Sequence, residues 1–215
     1  MYVPAHFEQT NIEMMHALMR SHPLATLVTL GDEGLNANHI PLYLNAESGQ
    51  YGVLQGHVAR ANPLLDDSNL AEVLVIFHGP NAYISPTWYA TKPATGKVVP
   101  TWNYTTVHAY GKLQQIDDAT WLRTHLEAMT DQHEANMPQP WQLSDAPHDF
   151  TERLLGAIVG IEIVITRLSG KWKVSQNQPP ENQISVVQGL STSRLADAGA
   201  MADLVALGVV CADSQ

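Results

Sequence analysis

Hydrophobic residues near the N-terminus recur at the spacing of a helix before the pattern changes to that of strands. Ile12, Met15 and Met19 fall three to four residues apart, which predicts one apolar helix face. Thr10 and Glu13 have the spacing of a capping box, in which the hydroxyl accepts an amide hydrogen bond and the carboxylate reaches back. The sequence therefore predicts a helix that begins just after Thr10.

Short apolar runs follow, separated by turn residues. Residues 24–30 (LATLVTL) are rich in β-branched side chains, and residues 35–44 form the predicted partner strand across a turn at residues 31–34. Pro41 has no amide donor, so this partner strand needs an edge or bulge position. With a further strand at residues 51–54, the short connections favour an antiparallel meander over a parallel sheet.

Periodicity and turn residues assign the rest of the chain to strands and helices. The predicted elements are a short helix ending near Leu65; strands at residues 72–78, 82–85, 99–116, 158–168 and 171–175; a helix from Asp117 or Asp118 to about Glu134; a helical turn at residues 151–155; and a helical tail at residues 193–206. Strands with peripheral helices predict a mainly β, α+β protein built on a closed or half-closed antiparallel barrel. We expect one domain, residues 1–190, followed by a C-terminal helical extension, residues 191–215.

Composition excludes several classes of protein. Of the 215 residues, 45% are hydrophobic and 15% are charged, which is unlike a disordered chain. The formal charge of −10 argues against a surface that grips a nucleic-acid backbone by itself. The single cysteine, Cys211, excludes a disulfide framework within one chain. No apolar run approaches the ~20 residues of a membrane span and no secretory signal is recognisable, so we expect a cytoplasmic location.

Residues 56–63 (GHVARANP) hold the first group of candidate binding residues. Gly56 allows a ligand to approach the backbone closely, and His57 and Arg60 supply hydrogen-bond donors beside a helix start predicted at Asn62. A compact cationic turn in an acidic protein suggests a pocket for a phosphate monoester. The alternative is a structural turn in which Arg60 forms a surface ion pair.

Two further segments place aromatic side chains next to proline, serine and asparagine. They are residues 77–89 (FHGPNAYISPTWY) and 99–104 (VPTWNY). Such rings suit stacking on a planar ligand, and the amides and hydroxyls suit its orientation. Alternatively, the rings fill the barrel and a dimer interface. Residues 173–177 (KVSQN) add polar groups at a predicted strand end, which by themselves indicate only a solvated strand end.

The ten histidines do not predict a metal site. His125 and His133 are too far apart for one helical turn, and the chain has no HExxH motif and no Cys/His cluster. Cys211 lies near the terminus, and no order of histidine and aspartate residues marks it as a nucleophile. We therefore expect no metal bound by protein ligands.

Five motifs in order carry a resemblance to a known family. They are MYVP at residues 1–4 with Phe7, GHVARANP at 56–63, GPNAYISPTWY at 79–89, VPTWNY at 99–104 and KVSQN at 173–177. In this combination the chain resembles the PaiB family, the FMN-binding-like negative transcriptional regulators of bacteria. The resemblance extends from residue 1 to about residue 190.

This resemblance implies a fold, a cofactor and an assembly. It implies an antiparallel split β-barrel like that of the pyridoxamine-phosphate-oxidase-type flavoproteins, which are usually homodimers with FMN between the subunits. The residues that it assigns to FMN are His57, Arg60 and Asn62 with Gly56 around the phosphate; Asn38, His39, Ile40 and Pro41 at the flavin edge; Trp102, Asn103 and Tyr104 near the ring, from the same or the partner chain; and Lys173 and Gln176, which close the site.

Several functions remain open from the sequence. The resemblance implies an FMN-binding protein that takes part in negative regulation of transcription. The acidic charge and the lack of a helix-turn-helix signature favour an indirect action, without direct DNA contact. The alternatives are an FMN-dependent oxidoreductase acting on a small molecule, an interaction protein whose pocket is empty, and a haem-binding relative. Fold alone does not choose among them, because function depends on the site.

Overall fold

The computed structural model describes residues 1–31, 34–65 and 72–212. The middle of the turn predicted at residues 31–34 lies outside this range. Within the described residues, interactions between neighbouring strands build an antiparallel sheet, as predicted, and helices accompany it.

The strands form one hydrogen-bonded sheet. Their bounds are β1 Glu8–Gln9, β2 Leu24–Gly31, β3 Gly34–Pro41, β4 Tyr43–Asn45, β5 Val53–Ala59, β6 Val73–Ile84, β7 Thr101–Ile116 and β8 Ile158–Lys173. The strand order is β3-β2-β6-β7-β8-β5-β4, and β1 pairs with β8. Pro41 lies at the end of β3, opposite Leu24, and β3 ends the strand order, which confirms the predicted edge position.

The helices lie at both ends of the chain and in its connections. Their bounds are α1 Ile12–Ser21, α2 Lys92–Thr95, α3 Ala119–Glu134, α4 His148–Leu155, α5 Pro180–Ser191 and α6 Ala198–Ala212. The predicted helix from Asp118 is confirmed as α3, because the Asp118 carboxylate accepts the Trp121 amide at 2.7 Å and caps the first turn.

The contacts divide the chain into two compact units. Unit 1 comprises Met1–Met15, His78–Val107 and Ser169–Gln215, and unit 2 comprises His16–Phe77 and His108–Leu168. The boundary predicted at residue 190 stays a prediction.

Unit 2 has a core formed by strand side chains that are fully buried, among them Leu27, Leu54 and Ile161. Strand β5 pairs with β8 so that His57 lies opposite Gly160. A Cβ atom at Gly160 would lie 2.4 Å from the Trp121 ring, so glycine is what allows the Trp121 ring to approach the strand backbone here.

Unit 1 has its own core, in which α5 and α6 pack against each other. Val186, Leu190 and Met201 are almost completely buried there. A Cβ atom at Gly189 would lie 2.4 Å from the Trp88 ring, so this glycine lets α5 approach the indole closely.

Two pairs of predicted strands are single long strands in the structure. Residues 72–78 and 82–85 are both part of β6, and the predicted turn at Ser169-Gly170 is wrong because β8 continues through it. Gly170 pairs with Gln9 of β1, and a Cβ atom there would lie 2.9 Å from the Gln9 carbonyl oxygen. The glycine therefore reflects the close approach of another strand, which local turn rules do not foresee.

Other boundaries also differ from the predictions. Helix α1 is capped by Asn11, whose side-chain oxygen accepts the Met14 amide at 3.1 Å, and not by Thr10. Strand β5 begins at Val53 and continues through Gly56 and His57, so the predicted end of this strand was wrong. Helix α5, which begins with proline at its first position, was missed in the sequence.

Candidate functional site

The predicted phosphate-binding arginine is already occupied by protein groups in unit 2. The Arg60 guanidinium binds the Asp117 carboxylate through two hydrogen bonds, of 2.9 and 2.7 Å. It also donates to the carbonyl oxygens of Gly156, at 3.0 Å, and Ile158, at 3.1 Å. The Asp117 carboxylate raises the pKa of Arg60, and Arg60 lowers the pKa of Asp117, mainly through these hydrogen bonds. An external anion would have to compete with Asp117 for this cation.

His57 lies in a pair of histidines and not beside a cation. Its Nδ1 atom is 3.3 Å from Nε2 of His125, and the His125 ring stacks on Trp121 with a centroid distance of 5.2 Å. Burial lowers the pKa of His57. Burial, and secondly the charge of His57, lower the pKa of His125 to about 4. Both rings are therefore neutral near pH 7 and bring no positive charge to a phosphate.

His57 also lines an apolar cavity in unit 2. The cavity has a volume of about 300 Å³, and its walls are mostly aromatic and aliphatic side chains, including Trp141, Phe150 and Leu154. A phosphate dianion is poorly solvated by such walls, so the surroundings of His57 suit an apolar group better than an ester phosphate.

Asn62 and Asn38 contact each other in unit 2. The Asn62 amide nitrogen donates to the Asn38 side-chain oxygen at 3.2 Å, and the Asn62 oxygen accepts the Leu64 amide at 3.0 Å. The Nδ2 atom of Asn38 is buried and has no hydrogen-bond partner among the described residues. This unsatisfied donor fits a ligand acceptor at the edge of a planar ring.

The other predicted residues of this segment have different surroundings. His39 is exposed and its Nδ1 lies 3.2 Å from the Thr26 hydroxyl, whereas the Ile40 side chain is buried. A Cβ atom at Gly56 would lie 2.7 Å from the Leu42 side chain and 3.4 Å from the Pro41 carbonyl oxygen. Gly56 therefore has a packing role within the strands, in addition to the ligand contact that was predicted for it.

The predicted ring-binding residues belong to unit 1. The Trp102 side chain is 54% exposed, and its ring meets that of Tyr83 edge-on, with centroids 6.0 Å apart. The Tyr104 ring lies 5.1 Å from Nζ of Lys171, a cation–π arrangement. Trp102 therefore offers an open aromatic face, while the Tyr104 ring has a protein cation against it.

A polar cavity lies close to Trp102 within the same unit. It has a volume of about 430 Å³, and Asn103 and Lys173 both contribute to its lining. Lys173 donates to the Thr101 hydroxyl and to the Trp102 carbonyl oxygen, the latter at 2.7 Å. Asn103, which is 1% exposed, donates to the Ser175 hydroxyl at 2.9 Å. The structure thus brings two of the predicted residues together around one cavity.

Gln176 serves the local backbone. Its side-chain oxygen accepts the Val174 amide at 2.8 Å, and its nitrogen donates to the Trp172 carbonyl oxygen. These bonds use both ends of the amide, so Gln176 stabilises the end of β8 and is not among the residues that line the cavity.

The predicted residues fall into two sets. Eight belong to unit 2, namely Asn38, His39, Ile40, Pro41, Gly56, His57, Arg60 and Asn62, and five belong to unit 1, namely Trp102, Asn103, Tyr104, Lys173 and Gln176. Sequence reasoning missed Asp117, His125, Lys171 and Ser175, which determine the charge or position of these groups. Two of them had a sequence signal: Ser175 belongs to the KVSQN motif, and Lys171 lies two residues before Lys173 on the same strand.

The described residues offer neither a metal-binding cluster nor a membrane-spanning helix. Among residues 1–31, 34–65 and 72–212, no group of three or more His, Cys, Asp or Glu side chains is arranged to hold a metal ion. In the same part of the chain, no helix is both long enough and apolar enough to cross a bilayer.

Solved structures show the same fold. The FAD and heme binding protein of Mycobacterium smegmatis superposes with a TM-score of 0.56 at 19% identity, covering 77% of this chain and 73% of the other. The flavocytochrome Anf3 of Azotobacter vinelandii gives a TM-score of 0.52 at 13% identity, covering 80% and 72%. The predicted fold class, the antiparallel split barrel of flavin-binding proteins, is confirmed.

Curated sequence relatives share a higher identity with this chain than these solved structures do. An uncharacterized protein of Emericella nidulans is 37% identical over 225 residues, covering 88% of this chain and 90% of the relative. Protease synthase and sporulation protein PAI 2 of Bacillus subtilis is 32% identical over 206 residues, covering 95% and 96%. The predicted resemblance to the PaiB family is confirmed by this similarity. Residues 1–167 match the family described as "Putative FMN-binding domain", and the chain belongs to that family.

Proposed function

We propose that this protein binds FMN and uses it in a regulatory role of the PaiB type. The observation that carries the proposal is the family match over residues 1–167, together with the split-barrel fold. FMN needs a flat surface for its ring, hydrogen-bond partners at the ring edge and a cationic environment for its phosphate. When bound, it would supply electron or hydride transfer, which the protein side chains lack.

The residues of unit 1 meet two of these needs. The open face of Trp102 suits stacking on the isoalloxazine ring. Lys173 donates to the carbonyl oxygen of the same tryptophan, so its ammonium group lies near that residue. In unit 2, the unpaired Nδ2 of Asn38 suits a ring-edge acceptor. Trp102 and Lys173 are the groups of unit 1 that we propose to hold the flavin, and Asn38 is, taken by itself, the candidate hydrogen-bond donor of unit 2.

A visible spectrum tests the proposal most directly. We expect purified full-length protein, alone or after addition of FMN, to show flavin absorption with resolved vibrational structure, and heat to release FMN that mass spectrometry identifies. Trp102→Ala should weaken FMN binding at least several-fold, because base-like rings gain about 1–3 kcal/mol from aromatic stacking. Trp141→Ala, a second exposed tryptophan that belongs to unit 2, is the matched control. Absence of FMN binding, or equal affinity in both variants, would contradict the proposal.

The regulatory part of the proposal rests on similarity to PAI 2 of Bacillus subtilis. We propose that any effect on transcription is indirect, because a protein with a formal charge of −10 repels the phosphate backbone. A gel-shift with purified protein at modest salt checks this, and tight, sequence-selective binding would contradict it.

An oxidoreductase is the second candidate function. The cavity beside Trp102 is large enough, at about 430 Å³, for a small organic molecule. If the protein is an enzyme, NAD(P)H should bleach bound FMN and a substrate or oxygen should restore its absorption. Flavin that stays oxidised with every reductant would count against this candidate. A Soret band on addition of hemin would instead favour the haem-binding alternative.

We also propose that the protein forms a homodimer. Leu24, Leu30 and Leu35, on the hairpin of β2 and β3, are 65%, 65% and 79% exposed, an apolar surface that suits contact with a second copy. Light scattering of the purified chain measures the mass, and a monomer at micromolar concentration would contradict the proposal.

A further inference from the structure

The polar cavity of unit 1 has an unusual charge balance for an acidic protein. Its lining includes two lysines, Lys97 and Lys173, and otherwise amides, hydroxyls and a few apolar groups. None of the residues that line it is acidic, although acidic residues outnumber basic ones 21 to 11 in the whole chain. The cavity is therefore a local region of positive charge.

Lys173 in the cavity wall, and Lys171 two residues before it on β8, have no counter-charge. Lys173 donates only to a hydroxyl and a carbonyl oxygen, and Lys171, which is 8% exposed, donates to the Tyr2 carbonyl oxygen at 3.2 Å. Within the described part of the chain, neither lysine forms an ion pair with a carboxylate. Burial, and secondly the charge of Lys171, lower the pKa of Lys173. Lys171 is buried and Lys173 is half-buried, and charges withdrawn from water are normally paired, so the two ammonium groups favour an anion at this wall.

The cavity walls are held in place before any ligand binds. Ser175 has φ of 66°, the left-handed region that side chains other than glycine rarely adopt, and its hydroxyl accepts the bond from buried Asn103. On another wall, Asn182 accepts the Thr91 amide and donates to the Thr91 hydroxyl, both at 3.1 Å. Strained, buried polar residues of this kind cluster at ligand sites. Because these side chains are held by their own hydrogen bonds, a ligand would lose little free energy in ordering the wall.

We propose that this cavity binds a phosphate monoester, with the Lys173 ammonium group as the anchor of the phosphate and Lys97 at the exposed side. The dianion supplies the counter-charge that Lys173 lacks, and the volume of about 430 Å³ leaves room for an organic group attached to the phosphate. The inference rests on the cavity and does not require that the protein binds flavin. The phosphate can be the tail of FMN or that of another phosphate ester.

Calorimetric titration of the full-length chain with inorganic phosphate at low ionic strength tests the proposal. We expect binding, and we expect Lys173→Met to weaken it about tenfold or more, as for loss of a hydrogen bond to a charged group. Lys112→Met is the matched control, because Lys112 is exposed on β7 in unit 2. No phosphate binding by the wild-type chain, or equal affinity in the Lys173 and Lys112 variants, would overturn the proposal.

A second variant keeps the test valid if Lys173→Met does not fold. Lys97→Glu changes an exposed residue, so we expect a folded protein in which phosphate binding is weakened several-fold. Unchanged phosphate affinity in Lys97→Glu would then overturn the proposal.

A competition experiment identifies the source of the phosphate. Displacement of inorganic phosphate by FMN but not by riboflavin would support the cavity as the flavin phosphate site. Simultaneous binding of FMN and phosphate would support a site for another phosphate ester. If phosphate binds but FMN does not, the proposed function fails and the cavity proposal stands; if FMN binds but phosphate does not, the cavity proposal fails alone.

Discussion

Two basic residues of the predicted site, Arg60 in unit 2 and Lys173 in unit 1, have opposite electrostatic surroundings. Arg60 forms a two-bond ion pair with Asp117 and donates to two carbonyl oxygens. Among the residues that the structure describes, Lys173 has only neutral acceptors, with a second lysine nearby, and it lines a cavity whose wall residues include no acidic group. A cation within a motif can thus be a structural group or an available binding group. The difference depends on whether a carboxylate lies opposite it.

The same contrast holds for the polar groups beside each cation. In the unit of Arg60, the histidines His57 and His125 are neutral near pH 7 and face one another, and His57 borders an apolar cavity. Next to Lys173, Asn103 and Ser175 form a buried pair that is fixed by a strained backbone. In the first region the cation is paired with a carboxylate, whereas in the second the positive charge has no carboxylate partner. Four predictions test this contrast.

The largest expected effect concerns the sensitivity to acid that the histidine pair gives to the folded state of unit 2. Both folded pKa values are lowered, that of His125 to about 4, so the unfolded chain binds more protons than the folded chain between pH 6.5 and 4. The stabilising contribution is complete above pH 6.5 and is lost as the pH falls towards 4. From His125 alone the loss is on the order of 3 kcal/mol. The difference between the free energies of unfolding measured in urea at pH 7.5 and at pH 4.5 gives this loss.

Two variants determine whether the histidine pair is responsible. His125→Phe keeps a ring against Trp121 and removes the titrating group, so most of the pH dependence should disappear. His133→Gln changes an exposed histidine of the same helix and should leave the pH dependence in place. If His125→Phe loses as much free energy of unfolding between pH 7.5 and pH 4.5 as the wild type, groups other than His125 cause the loss.

A smaller effect is expected from the strained backbone of Ser175. Ser175→Gly and Ser175→Ala both remove the acceptor of Asn103, but only glycine relieves the left-handed conformation. We expect the glycine variant to be more stable than the alanine variant by about 1 kcal/mol in urea unfolding. At Ser169, an extended position within β8, the order of the two variants should be reversed. The same order at both positions would contradict strain at Ser175.

Substitution of the two cations by methionine should change stability in opposite directions. Arg60→Met removes the groups that satisfy Asp117 and two carbonyls, so the urea midpoint should fall. Lys173→Met removes a charge without a counter-charge, and solvent screens that half-buried group, so without ligand the urea midpoint should rise slightly. A fall of similar size in both variants would show that Lys173 is a structural group like Arg60.

The smallest effect is a gain of function in unit 2. Asp117→Asn removes the carboxylate that neutralises Arg60, and should let its guanidinium bind phosphate weakly, in the millimolar range, at low salt. Calorimetry in a Lys173→Met background isolates this binding. If none is gained, the carbonyl oxygens of Gly156 and Ile158 are sufficient to occupy Arg60.

Much of the secondary structure was predictable because its causes are local. Asp118 caps α3 within its first turn, and α1 ends at Ser21, two residues before Pro23. The failures arose where a distant element determined the local conformation. Gly170 was read as a turn residue, but it allows the approach of Gln9 from β1, and such an approach has no local signal.

The sequence by itself determined the family of this chain, and hence its fold. The family is carried by motifs in a fixed order, and that order is visible in the sequence without the structure. Only the tertiary structure decided which predicted binding groups are available. Arg60 meets Asp117 at a separation of 57 residues, His57 meets His125 at 68, and Lys173 meets Thr101 at 72. Charge and hydrogen-bonding capacity are satisfied by whichever groups the fold brings within about 3 Å, and spacing in the sequence carries no record of those partners.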